Sequence, residues 1–168
     1  MRRLGIITAL SMALMAVLAS VALAAINPAN APSGTHLQTG TIGCTVGNDG
    51  LTVTCSAYEL GGVGNTNAEV LLTTNYSGVV DCRNHGGNVV ESHETTFSVA
   101  SGGTVRSSRN GRLRVQAQSA SPDLDLAEPC PNPNWTPEFQ PGTLELDSFT
   151  YTLTFAGFTG AYITITGP

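Results

Sequence analysis

Cys44 and Cys55 each stand five residues from the dipeptide Asp49-Gly50, Cys44 before Asp49 and Cys55 after Gly50. An Asp-Gly pair between stretches of alternating apolar and polar residues predicts a hairpin closed by a two-residue type I′ turn. That turn pairs Asn48 with Leu51, Val46 with Val53 and Cys44 with Cys55. Ile42, Cys44, Val46, Leu51, Val53 and Cys55 then share one face of the hairpin, and Thr45, Thr52 and Thr54 share the other. Residues directly opposed across two strands have a Cα spacing that a disulfide can span. The hairpin therefore selects Cys44–Cys55 from the three connectivities that four cysteines permit. Cys82–Cys130 remains, tying a strand to a distant loop. A metal site is the other use of four cysteines, but the chain has no C-x-x-C pair.

Disulfides need an oxidising compartment, and the N-terminal residues supply a route to one. Met1-Arg2-Arg3 is a short positive head before an apolar stretch that ends in Ala22-Leu23-Ala24, a small-x-small cleavage signal. The expected organisation is a signal peptide over residues 1–24, a flexible segment over 25–37 and a disulfide-stapled domain over 38–168. An uncleaved membrane anchor is the alternative, because about twenty apolar residues just span a bilayer. With the leader set aside, five arginines and no lysine face twelve acidic residues, a formal charge of −7. That balance argues against binding to duplex nucleic acid. The remaining length suits one domain rather than a multidomain enzyme. Leu, Ile, Val and Phe number 31 of those 144 residues, only just above the disordered range, so two bridges compensate for a thin core.

The rest of the chain reads as strands. Ala68, Val70, Leu72, Thr74 and Tyr76 fall on alternate positions, and the run resumes at Val80 and Cys82 beyond a bulge at Ser77-Gly78. His85-Gly86-Gly87-Asn88 is a turn, followed by a strand over residues 95–100 with Phe97 and Val99 inward. Ser101-Gly102-Gly103 is read as a second turn. Residues 104–107 and 112–118 flank Arg109-Asn110-Gly111 as a three-residue hairpin loop, with Val105 facing Val115 and Ser107 facing Leu113. Phe149, Tyr151, Leu153 and Phe155 alternate with Ser and Thr, and Tyr162-Ile163-Thr164-Ile165-Thr166 follows. No stretch after the leader shows helical spacing. Seven to nine short strands of this kind predict an all-β antiparallel sandwich, immunoglobulin-like in architecture, preceded by a signal helix. A small closed β-barrel is the alternative.

Residues 119–142 depart from this pattern, with six prolines and the only tryptophan. A connection that long is disordered or functional unless something pins it. Cys130 and Trp135 are the pins. Trp135 either anchors the loop on the sandwich or offers an aromatic platform to a sugar ring or a partner. Together with Gly62-Val63-Gly64-Asn65-Thr66-Asn67-Ala68, Gly86-Gly87-Asn88-Val89-Val90-Glu91-Ser92-His93 and Asn110-Gly111-Arg112-Leu113, the Cys130–Trp135 motif resembles small secreted β-domain proteins of high-GC actinomycetes. That resemblance covers most of the chain after the leader and implies no catalytic residue.

Side chains able to do chemistry are few. There is no G-x-S-x-G elbow, and bridged cysteines cannot act as nucleophiles. His36 lies in the N-terminal segment. His85 and His93 flank the Gly86-Gly87 turn with Glu91 and Glu94 beside them. Glu91 and His93 share a strand face, so Glu91, His93 and His85 are the candidate zinc ligands, against exposed turn residues as the alternative. Asp123, Asp125 and Glu128 are candidate carboxylates for glycoside chemistry or for Ca²⁺. No cofactor is expected. Arg106, Arg109, Arg112 and Arg114 fall within nine residues, and Arg106, Arg112 and Arg114 point outward in the proposed register. This basic ribbon meets an anionic envelope polymer or the acidic residues that follow it. With Trp135, it forms the expected binding surface. The expected function is a secreted, non-catalytic binding or structural module of the extracellular space or cell envelope. Its partner would be a polysaccharide or protein and not nucleic acid, and only the signal segment would meet a membrane. A secreted hydrolase or metal-dependent enzyme using His85 and His93, and an inhibitor built on the Cys130 loop, are the alternatives.

Overall fold

The computed structural model describes residues 21–127 and 130–168, so residues 1–20, where the expected signal helix falls, together with Glu128 and Pro129, lie outside the described residues. Thirteen strands follow in order. They are β1 (Val21–Leu23), β2 (Ala25–Ile26), β3 (His36–Gly40), β4 (Gly43–Val46), β5 (Val53–Cys55), β6 (Tyr58–Gly61) and β7 (Ala68–Arg83). After them come β8 (Val89–Val105), β9 (Leu113–Val115), β10 (Gln118–Ala120), β11 (Thr136–Phe139), β12 (Glu145–Phe155) and β13 (Ile163–Gly167). Two 3-10 turns, Pro28–Asn30 and Leu124–Leu126, are the only helical elements among the described residues.

The strands form three antiparallel sheets that do not close into a barrel. The largest runs β11-β7-β12-β13-β2, with β8 along the other edge of β7; the second is β1-β4-β5-β10 and the third β3-β6-β9. In the large sheet, Tyr151 lies opposite both Leu72 and Ile165, and Leu153 opposite both Val70 and Ile163. This register puts Val70, Leu72, Tyr76, Phe149, Tyr151, Leu153, Phe155, Ile163 and Ile165 on one face, with Leu71 on the exposed one, and Leu72, Val70, Leu153 and Ile163 are fully buried. The two smaller sheets supply the other layer: Cys44, Val53, Cys55, Tyr58, Leu60, Leu113 and Val115 join the same core. The Tyr58 and Tyr151 hydroxyls meet across it at 2.8 Å. Burial pushes both phenol pKa values up, so both stay neutral.

Both disulfides form as the spacing predicts, Cys44–Cys55 and Cys82–Cys130. The hairpin register is also the expected one, with Cys44 opposite Cys55 and Val46 opposite Val53. Its tip differs. Type I′ would need Asp49 at positive φ, but only Gly50 adopts it, at 71°. The Gly50 N–H donates to the Gly47 carbonyl instead, and the Asp49 carboxylate accepts from the Leu51 and Thr52 amides at 3.0 Å each. The Thr52 hydroxyl, at 2.6 Å, is the main reason that carboxyl is drawn down to about 2.

Three further expectations are corrected. Ser77-Gly78 is no bulge, because β7 pairs with β8 straight through it. Glycine eases a close approach there: β12 leaves β7 at Ser77, β11 joins at Val80, and a Cβ on Gly78 would sit tightly against the Leu144 backbone at 3.2 Å. Ser101-Gly102-Gly103 is no turn but part of β8, where a Cβ on Gly102 would collide with the Val70 carbonyl. The Arg109-Asn110-Gly111 loop does close, through Ser108 N–H to the Arg112 carbonyl and Gly111 N–H to the Ser108 carbonyl. Its flanks, however, separate into different sheets, β8 onto β7 and β9 onto β6, so Val105 and Val115 are not paired. Leu113 and Val115 gain full burial beside β6. That outweighs a two-stranded extension in solvent.

The stretch 25–37, read as flexible, is tied to the domain. The Asn27 N–H donates to the Tyr162 carbonyl, the Asn30 side chain donates to the Ala161 carbonyl, and Ala31 is buried.

Candidate functional site

The separation of β8 from β9 shapes an arginine-bearing groove. It has a volume of about 400 Å³ and is lined by Gly102, Gly103, Thr104, Val105, Arg106, Arg114, Gln116 and Gln118. Its floor is backbone where the two glycines carry no side chain. Gln118 is held in place, accepting from the Ser101 hydroxyl at 3.1 Å and donating to the Gln116 carbonyl at 3.3 Å. Arg106 and Gln116 are exposed on the walls.

The four clustered arginines divide into two pairs. Arg112 Nη1 lies 2.9 Å from Glu59 Oε1, and Arg114 Nε lies 2.7 Å from Glu59 Oε2. Glu59 sits on β6 directly opposite Arg114. The hydrogen bond from Arg114 is the main influence holding its carboxyl below the usual range, with Arg112 adding to it. Arg112 is thus committed within the fold. Arg114 gives its Nε to Glu59 while its side chain stays 77% exposed, leaving the terminal nitrogens turned to solvent. Arg106 and Arg109 have no ion pair among the described residues. The acidic partner of the ribbon is therefore Glu59, not the proline-rich loop. Sequence reasoning missed it because Tyr58-Glu59-Leu60 is too short to show a period.

Trp135 stands elsewhere. It is half-buried and packs with Phe139, Leu144 and Leu146 on a second, smaller cluster of Tyr76, Val80, Cys82, Phe97 and Ala127. This is the anchoring alternative. β11, which follows Trp135, pairs with residues 80–83 of β7, whereas Val105 pairs with Ala68. At about 3.3 Å per residue, the two regions lie roughly 40–50 Å apart along the hairpin. Trp135 and the arginines do not share a surface.

The imidazole and carboxylate candidates are strung along the exposed part of the hairpin. His85 is in the turn, Glu91 lies opposite Cys82, and His93 is half-buried opposite Val80. The Asp123 carboxylate is used locally, accepting from the Asp125 N–H at the start of a 3-10 turn. Glu128 lies outside the described residues. Among the described residues, no three His, Cys, Asp or Glu side chains are placed to hold a metal ion. His36 bonds within its own segment, to the Gly34 carbonyl at 2.8 Å and to Gln38 at 3.3 Å.

No family model, no curated protein and no solved structure matches this chain.

Proposed function

We propose that the protein is exported, cut before Ala25, and acts outside the cell as a non-catalytic binding module with an immunoglobulin-like sandwich architecture. Two disulfides, with no cysteine left free, support the oxidising address. The observation that carries the binding reading is the Arg106–Arg114 groove. It offers the exposed guanidinium of Arg106, the outward nitrogens of Arg114 and the Gln116 amide along a glycine floor that backbone or a sugar ring can approach closely. Guanidinium groups pair with carboxylate and phosphate in a fixed fork geometry. The matching ligand is an extended anionic polymer of the cell envelope, met along an open groove.

Incubating the secreted protein with peptidoglycan, chitin, cellulose and whole cells tests the reading. Retention on an anionic wall fraction is expected, weakening steeply with salt. Arg106→Ala and Gln116→Ala together should lower retention at least tenfold with no change in the unfolding midpoint. A protein retained by none of these materials is not a module of this kind. Retention indifferent to both substitutions moves the site off this groove.

A further inference from the structure

We propose that removal of the leader opens a strand-accepting edge on β4, and that this edge takes an extended peptide with small apolar side chains at alternate positions. The inference rests on the cut before Ala25 proposed above. β1 occupies that edge, antiparallel, with Ala22 opposite Cys44 and Leu23 opposite Gly43. Ala22 and Ala24 both pack on the main core, and Cys44 beneath them is fully buried. Yet Ala22-Leu23-Ala24 is also the cleavage signal, so the cut that frees the domain removes the strand. Ala25-Ile26 stays behind, held by β13.

The consequences follow from the ladder. Gly47 donates to Thr52, and Gly43 accepts from Ser56, so the backbone groups of residues 43, 45 and 47 point to β5. By alternation, those of Cys44 point the other way and lose their partner in β1, Ala22. With the leader in place, an apolar groove of about 540 Å³ lies beside that position, lined by Ala24, Ile26, Leu37, Gly40, Thr41 and Ile42; the cut removes its Ala24 wall and leaves the other five residues. Ile26 and Leu37 are each nearly half exposed there. An unpaired strand next to an apolar trough is the requirement for strand addition, in which main-chain hydrogen bonds give affinity and alternate side chains give selectivity. The leader's own strand shows what fits: alanine, opposite Cys44 and packed against the core.

The secreted product is taken from the medium, its mass is measured intact, and amide exchange is followed with and without a synthetic peptide of residues 19–24. A product starting at Ala25 is expected, with the Cys44 amide exchanging fast alone and at least tenfold more slowly with peptide. The same peptide carrying Ala22→Arg should give no protection. A product that begins at Ala25 but ignores the peptide overturns this inference and leaves the export reading standing. Amides already protected because two copies pair through β4, seen as a dimer by sedimentation, overturn it in favour of self-association. A chain kept at the membrane with residues 21–24 in place overturns both.

Discussion

The two ends of the β7–β8 hairpin bury their apolar faces by different means. Around Ala68, Val70 and Leu72 the hairpin is one side of a two-layer sandwich, and twenty buried residues, drawn from all three sheets and the segments between them, form its core. Around Tyr76, Val80 and Cys82 only five buried residues gather, covered by the proline-rich loop and β11 instead of a second sheet. Phe97 stacks between Tyr76 and Phe139 at centroid distances of 5.3 and 5.6 Å. Each end has one disulfide, but the bridges do different jobs. Cys44–Cys55 joins strands already paired by their turn, 11 residues apart. Cys82–Cys130 spans 48 residues and holds down a loop with little pairing of its own. A surplus of sheet pairing makes a bridge secondary, and its absence makes the bridge the main fastening.

Breaking that fastening should have the largest effect. On chain entropy alone, a 48-residue closure is worth about 4 kcal/mol, and an 11-residue one about 3 kcal/mol. Cys82→Ala with Cys130→Ala should therefore cost about 4 kcal/mol, read by denaturant titration. Amide exchange should show the loss first in residues 119–142 and the distal part of the hairpin. If the main core opens at the same free energy, the two ends are one cooperative unit and the contrast fails. Leu153→Ala tests the other end. Leu153 is fully buried between Val70 and Ile163, and a buried Leu→Ala costs about 2–5 kcal/mol. Here the midpoint should fall with no selective opening of the loop.

Smaller again is Tyr58→Phe. It leaves the Tyr151 hydroxyl buried without the 2.8 Å partner that links the two layers, a loss of about 1–3 kcal/mol. Adding Tyr151→Phe should recover much of it, because no unpaired hydroxyl then remains. A double variant no better than the single one would show that packing around the rings, not the hydrogen bond, joins the layers.

How much of this was legible in the sequence depended on whether a signal was local. The Cys44–Cys55 pairing followed from the Asp49-Gly50 spacing, and the 3.3 Å strand rise with period-two alternation exposed β7 and β12. The all-β sandwich and both bridges were readable on that basis. Turn glycines were ambiguous: Gly50, Gly87 and Gly111 do make turns, but Gly78, Gly102 and Gly103 lie inside strands. A glycine in a strand marks a close backbone approach as readily as a reversal, and the approaching chain is invisible in sequence. The groove was half legible. Four arginines in nine residues flagged the region, but Arg112 and Arg114 are tied to Glu59, 53 and 55 residues away. Only the departure of β9 from β8 brings those together. The role of Val21–Leu23 as a strand was hidden because its composition reads as a leader.

The smallest effect tests the join between groove and fold, and it carries a pH signature. Glu59 is held below its ordinary value of 4.5, first by the hydrogen bond from Arg114 and further by Arg112. A depressed folded-state pKa stabilises the fold above the unfolded value and loses that contribution as pH falls through the folded one. The unfolding midpoint should therefore be flat above about pH 5 and decline as the solution is acidified below about pH 4. Glu59→Gln removes the charge at every pH, so its deficit against the parent should be present at pH 7 and shrink toward zero at pH 2–3. Asp49, drawn down to about 2, titrates in the same acid range at the tip of the β4–β5 hairpin. Its contribution is separated by Asp49→Asn, which leaves the Glu59 portion unchanged. A Glu59→Gln deficit that does not vary with pH would mean the carboxylate acts through shape and hydrogen bonding alone. Arg114 would then be held by geometry rather than charge, and the guanidinium at the groove would keep its place even in acid.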